Sequence, residues 1–137
     1  MSKTGKKVMV FGTFAILHPG HLSFFRQAKK LGRYLVVVIA RDETVKKIKG
    51  FFPKLDERAR REMVGAIKLV DEAVLGDKFD WYKIILKYKP GVICLGYDQG
   101  APKNFSAELQ RRGVEAKIFR LKSYKPKKYK SSKILNK

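Results

Sequence analysis

Two histidines three residues apart, His18 and His21, stand in the stretch Gly12-Thr13-Phe14-Ala15-Ile16-Leu17-His18-Pro19-Gly20-His21. The spacing places both imidazoles on one face of the first turn of a helix. Imidazoles hydrogen-bond phosphate oxygens, and an imidazolium offsets negative charge that builds during group transfer. Pro19-Gly20 set up the helix start, whose free N–H groups and dipole favour phosphate, and Gly12 lets the backbone approach a ligand. A two-histidine metal site is disfavoured because no third ligand stands nearby. Phosphate chemistry on a strand-to-helix turn is therefore the first expectation.

Those histidines need a scaffold, and the surrounding patterns supply one. Apolar runs at Lys7–Phe14, Tyr34–Ala40, Ala73–Leu75, Val92–Leu95 and Ala116–Leu121 read as strands. Tyr34–Ala40 is almost wholly apolar, as in a strand buried on both faces of a parallel sheet. Helical periodicity marks His21–Leu31, with Leu22, Phe25, Ala28, Lys29 and Leu31 on its stripe. Asp42 reads as the cap of a helix through Lys49, and Asp56 as the cap of Glu57–Leu69, with Met63, Val64, Ile67 and Val70 inward. Asp80–Tyr88 and Ser106–Arg112 read as helices, and Ser131 or Ser132 as the cap of a last short one. Alternating strands and helices imply an α/β fold: one doubly wound domain with a mostly parallel five-stranded sheet and helices on both faces. Such sheets bind ligands beyond the carboxyl ends of their strands, where strand order reverses.

Composition narrows the class. At 137 residues, with 45% hydrophobic side chains, the chain fits a single domain, 1–137, with a real core. Its longest apolar run is far short of a membrane span, and a lone cysteine, Cys94, allows no intramolecular disulfide, so a cytoplasmic protein is expected. Thirty-two basic against 12 acidic residues leave a net charge of +20, which attracts polyanions without choosing among them. Residues 122–137 form a basic C-terminal segment with seven lysines and no acid. No nucleic-acid-binding motif is present, so nucleic acid is a secondary candidate partner resting on charge alone.

His18-Pro19-Gly20-His21 after Gly12-Thr13-Phe14 resembles the HxGH signature of the cytidylyltransferase-like nucleotidyltransferases. The likeness runs from about Lys7 to Lys133. Ala40–Gly50 and Leu95–Gln99 look most like the archaeal FAD synthases, which transfer AMP from ATP to FMN. The resemblance implies that His18 and His21 contact the triphosphate and stabilise the five-coordinate α-phosphorus, with Lys49 as a third catalytic group gripping phosphate. It implies nucleotide contacts at Gly12, Thr13, Phe14, Asp98, Ser131 and Ser132. It gives the acceptor phosphate to Lys49 and Arg60, with Arg61 as the neighbouring alternative. ATP and FMN are then the substrates, Mg²⁺ the expected divalent cation, and a homodimer the expected assembly. Two other readings stay open: a cytidylyltransferase acting on a phosphorylated alcohol, and a catalytically weakened polyanion-binding scaffold. Departures from the family pattern are Ala15 in place of an aspartate, Arg33, Gly65 and Gly91, which suggest an altered variant with impaired activity.

Overall fold

The computed structural model describes residues 6–96 and 99–122. Five strands appear: β1 (Lys7–Gly12), β2 (Tyr34–Ile39), β3 (Glu72–Leu75), β4 (Val92–Leu95) and β5 (Lys117–Arg120). They form one sheet in the order β3-β2-β1-β4-β5, and every pair is parallel. Helices α1 (Pro19–Lys29), α2 (Asp42–Lys49), α3 (Glu57–Gly65), α4 (Lys83–Tyr88) and α5 (Phe105–Arg111) connect them.

The sheet's side-chain alternation divides the core. Val8, Val10, Leu35, Val37, Ile39, Val92 and Cys94 face one layer, where they meet Phe25 and Ala28 of α1 and Val64 of α3. Met9, Phe11, Val36, Val38 and Ile93 face the other, against Ile85 of α4 and Phe105 and Leu109 of α5. Leu35 to Ile39 are buried without interruption. A strand covered on both sides needs such a run, since each buried Val, Leu or Ile contributes about 1.5–3 kcal/mol. The doubly wound expectation holds, and the sheet is parallel throughout.

Several local expectations shift. β1 ends at Gly12 because Phe14 takes a left-handed conformation (φ 53°) that a strand cannot continue. The third helix stops at Gly65, and Met63 is 52% exposed, so the inward face there rests on Val64 with Ile67 and Val70 in the following turn. Asp56 does cap α3, accepting the Ala59 N–H at 2.9 Å. Asp42, expected as a cap, is instead the first residue of α2, and the Glu57 carboxylate accepts its N–H at 2.9 Å. The partly buried Lys29 ends in a pair with Asp71.

Strand order reverses at β1. The chain steps from β1 to β2 and β3 on one side, then crosses to β4 and β5 on the other. The turns beyond Gly12 and Leu95 therefore flank the crevice where such sheets bind ligands.

Candidate active site

The turn after β1 is shaped by one ring. A Cβ on Gly12 would lie 2.6 Å from the Phe14 ring, so glycine is required there to seat Phe14. Phe14 is buried and meets His21 edge-on at 5.1 Å and Phe25 at 5.4 Å. A non-glycine residue in the left-handed region costs on the order of 1–3 kcal/mol, and these packed contacts hold it. The strained turn thus aims the segment that leads to α1.

At the start of α1, His18 is the cap and His21 the third helical residue. His18 Nδ1 accepts the Gly20 N–H at 3.1 Å, and His21 Nδ1 accepts the His18 N–H at 3.3 Å. This is a capping box with histidine in both side-chain positions. Pro19 has no N–H and Gly20's is engaged, so the expected free backbone donors are not what this helix start offers. An imidazole whose Nδ1 accepts carries its proton on Nε2. Each histidine is thereby held as an Nε2–H donor.

The two rings stack at 3.9 Å between centroids, 26° from parallel. Burial lowers the pKa of His21 to about 3, with His18's charge adding to the effect; burial also lowers that of His18. Both imidazoles are neutral near pH 7, so the site offers oriented N–H dipoles where an imidazolium was considered. In a water-poor crevice such fixed donors are effective phosphate ligands.

The remaining expected residues divide. Thr13 sits in the turn after β1, and its carbonyl accepts from Arg60. Lys49 is the exposed last residue of α2, followed by Gly50 in the left-handed conformation (φ 88°) that closes the helix. Arg60 does not face an acceptor. Its side chain is fully buried, and its guanidinium donates to Leu55, Thr13 and Ala40 carbonyls and to Asp42. Arg61, the alternative, is exposed. Asp98, Ser131 and Ser132 lie outside the described residues.

Sequence reading missed the groups that hold the turn after β4. Gln99 Oε1 accepts the Gly96 N–H at 3.0 Å, while its Nε2 donates to the Phe11 carbonyl at 3.2 Å. Arg120 Nη1 donates to the Gly96 and Gln99 carbonyls at 2.7 and 2.5 Å. The Gln99 bonds tie the β4 turn to the end of β1, and those of Arg120 tie it to β5. The Gln27 amide clamps the Lys122 backbone in both directions, at 3.0 and 2.9 Å, so the basic segment begins against α1. None of these pairs has a local signal, since each joins residues at least 21 apart except the Gln99–Gly96 bond.

Residues 9–137 match the family model described as cytidylyltransferase-like. A curated FAD synthase from Ferroglobus placidus is 50% identical over 120 residues, 86% of this chain and 77% of that protein. Another from Aciduliprofundum boonei is 50% identical over 119 residues, covering 86% and 79%. A crystal structure described as the lipopolysaccharide core biosynthesis protein from Thermoplasma volcanium superposes with a TM-score of 0.83 at 39% identity. That superposition covers 88% of this chain and 99% of the other.

Proposed function

The chain belongs to the cytidylyltransferase-like family, and from that premise we propose that it transfers AMP from ATP to FMN, forming FAD. The observation that carries the reading is the histidine capping box beside the β1–β4 crevice, in a chain half identical to proteins named FAD synthase. An FMN phosphate oxygen attacks the α-phosphorus of ATP in line. The bond from the α-phosphorus to the bridging oxygen breaks, and that oxygen leaves with pyrophosphate.

No covalent enzyme intermediate is needed, so the protein's contribution is position and charge complementarity. His18 and His21 donate their Nε2–H groups to triphosphate oxygens as charge gathers there. Gly12, Thr13 and Phe14 shape the nucleotide turn, with Asp98 on the nucleoside and Ser131 and Ser132 on phosphates. Lys49 takes the acceptor phosphate, a task its exposed place at the end of α2 permits. Among the described residues, no group of three or more His, Cys, Asp or Glu side chains could hold a metal ion, and Ala15 supplies no carboxylate. Mg²⁺ enters on ATP, as part of the substrate.

A homodimer and a cytoplasmic setting belong to the same reading. Ile48, Phe51, Phe52, Leu55 and Met63 are exposed apolar side chains that an assembly would cover. No helix among the described residues is long and apolar enough to cross a membrane. The test is FAD formation from ATP, FMN and Mg²⁺, run beside CTP with a phosphorylated alcohol and beside Ala15→Asp. FAD from ATP in the unaltered chain establishes the reaction. Ala15→Asp raises the rate if the family carboxylate acts on the metal–triphosphate, and FAD from neither protein overturns the reading.

A further inference from the structure

A buried arginine that bonds only to protein is unusual enough to ask what it holds together. Burying an ion costs several kcal/mol unless it is paired and its donors are satisfied. Arg60 is paired with Asp42, and each of its three nitrogens finds a partner. Its Nε donates to the Leu55 carbonyl at 3.0 Å, Nη1 to Thr13 and Ala40 carbonyls at 2.9 and 2.8 Å, and Nη2 to the Asp42 carboxylate at 2.6 Å. The side chain is 0% exposed and Asp42 27%.

The identity of those partners matters more than their number. Thr13 is in the strained turn that runs from Gly12 through Phe14 to the two histidines. Ala40 follows β2, and Asp42 opens α2, the helix that ends in Lys49. One rigid guanidinium plane therefore bonds the histidine turn and the lysine-bearing helix at once. The paired strands β1 and β2 bring the two segments side by side, with the Ala40 N–H to Gly12 carbonyl bond at 2.9 Å at the end of the ladder, and Arg60 adds the side-chain tie beyond it. A second brace sets the other side of α2: Glu57 accepts both the Asp42 N–H and Arg41 Nη1, while Arg41 Nε donates to the Gly76 carbonyl.

We propose that Arg60 is a positioning residue: through Thr13 and Asp42 it fixes the nucleotide-side histidines, His18 and His21, relative to the acceptor-side Lys49. It touches no substrate. In-line transfer between two bound molecules depends on their mutual placement, and displacement by about 1 Å can cost on the order of a hundredfold in rate. Arg60 contributes to kcat by holding the halves in register, in place of binding FMN phosphate. Lysine cannot substitute, because an ammonium is a point donor and the four acceptors are spread around a planar fork.

The inference rests on the adenylyl-transfer reading for its kinetic consequence, but its structural core does not. The chain has only two histidines, so their Cε1–Hε1 NMR signals report the site directly. The experiment compares Arg60→Lys, Asp42→Asn and a control, Lys78→Ala, which removes the 3.2 Å Glu43–Lys78 pair from the same helix. Expected are displaced imidazole signals in Arg60→Lys and Asp42→Asn, unchanged signals in the control, and a kcat for FAD formation lower by at least about tenfold in the two variants, with KM for ATP and FMN within about threefold. Asp42→Asn keeps an acceptor oxygen and carries the test should Arg60→Lys not fold. Unmoved imidazole signals overturn the proposal, as does a rise in FMN KM alone with kcat intact, which would return Arg60 to the acceptor site. A wild-type chain that makes no FAD overturns the adenylyl-transfer reading, and the imidazole signals still decide the role of Arg60.

Discussion

His21 offers a direct check on the idea that the site works with neutral imidazoles. Burial, reinforced by His18, lowers its pKa from 6.5 to about 3 in the folded protein. Between those values the unfolded chain binds a proton that the native state refuses. Stability therefore rises with pH from about 3 to about 6.5 and is flat above, the sense expected when the folded pKa is depressed. At pH 5 the gap from 6.5 is 1.5 units, so His21 alone costs about 2 kcal/mol relative to pH 7.5. For a domain of this size that is roughly 8 °C in Tm. The variant His21→Gln keeps a side-chain acceptor at the third helical position, where glutamine is a natural capping-box partner, and removes the titration. Thermal denaturation followed by circular dichroism at pH 7.5 and 5.0 should show wild type losing about 8 °C more than His21→Gln. If the two proteins lose stability in parallel, His21 is not held neutral by its surroundings and the donor argument fails.

Two further outcomes test the packing around the site. Gly65→Ala should raise Tm by about 2–4 °C, because glycine costs up to about 1 kcal/mol in a helix and an added Cβ meets Ala73 at an ordinary 3.6 Å; a lower Tm would show that α3 needs the glycine. Cys94 lies at the centre of the sheet, where burial pushes its thiol up to about 12, so a thiol reagent at pH 8 should leave the native protein unlabelled and modify one equivalent after denaturation. Rapid labelling of the folded chain would mean that β4 opens far more readily than its burial implies.

What the sequence disclosed and what it withheld divide along a physical line. The central strands are plain in the sequence, since Val8 to Phe11, Leu35 to Ile39 and Val92 to Leu95 are buried and apolar; the outer strands β3 and β5 are less buried and marked only by short apolar runs. The histidine pair was legible because its chemistry and spacing are local to one helical turn. Arg60 was not, for a buried arginine and a phosphate-binding arginine look alike until its partners, 5 to 47 residues away, are seen. Gln99 and Arg120 failed to register for the same reason: their partners are brought to them by strand order, and no spacing rule encodes β4 lying beside β1. Asp42 was assigned the right neighbourhood and the wrong bond. Its carboxylate could have capped its own helix, but Arg60 provides a stronger, charge-assisted partner.

The capping box also changes how charge reaches the site. A bare helix start would present its dipole and N–H groups to a phosphate directly. Here His18 Nδ1 takes the Gly20 N–H and His21 Nδ1 takes the His18 N–H, so each backbone donor is exchanged for an imidazole Nε2–H further out. Neutral rings transmit the helix's polarity only as well as they are aimed. An imidazolium would attract its partner with less regard to angle. With neutral rings at work, directional donors dominate, and orientation becomes the quantity that the fold must defend. The strained Phe14 turn packed on His21 and the fully buried Arg60 bonded to Thr13 are where the structure does so.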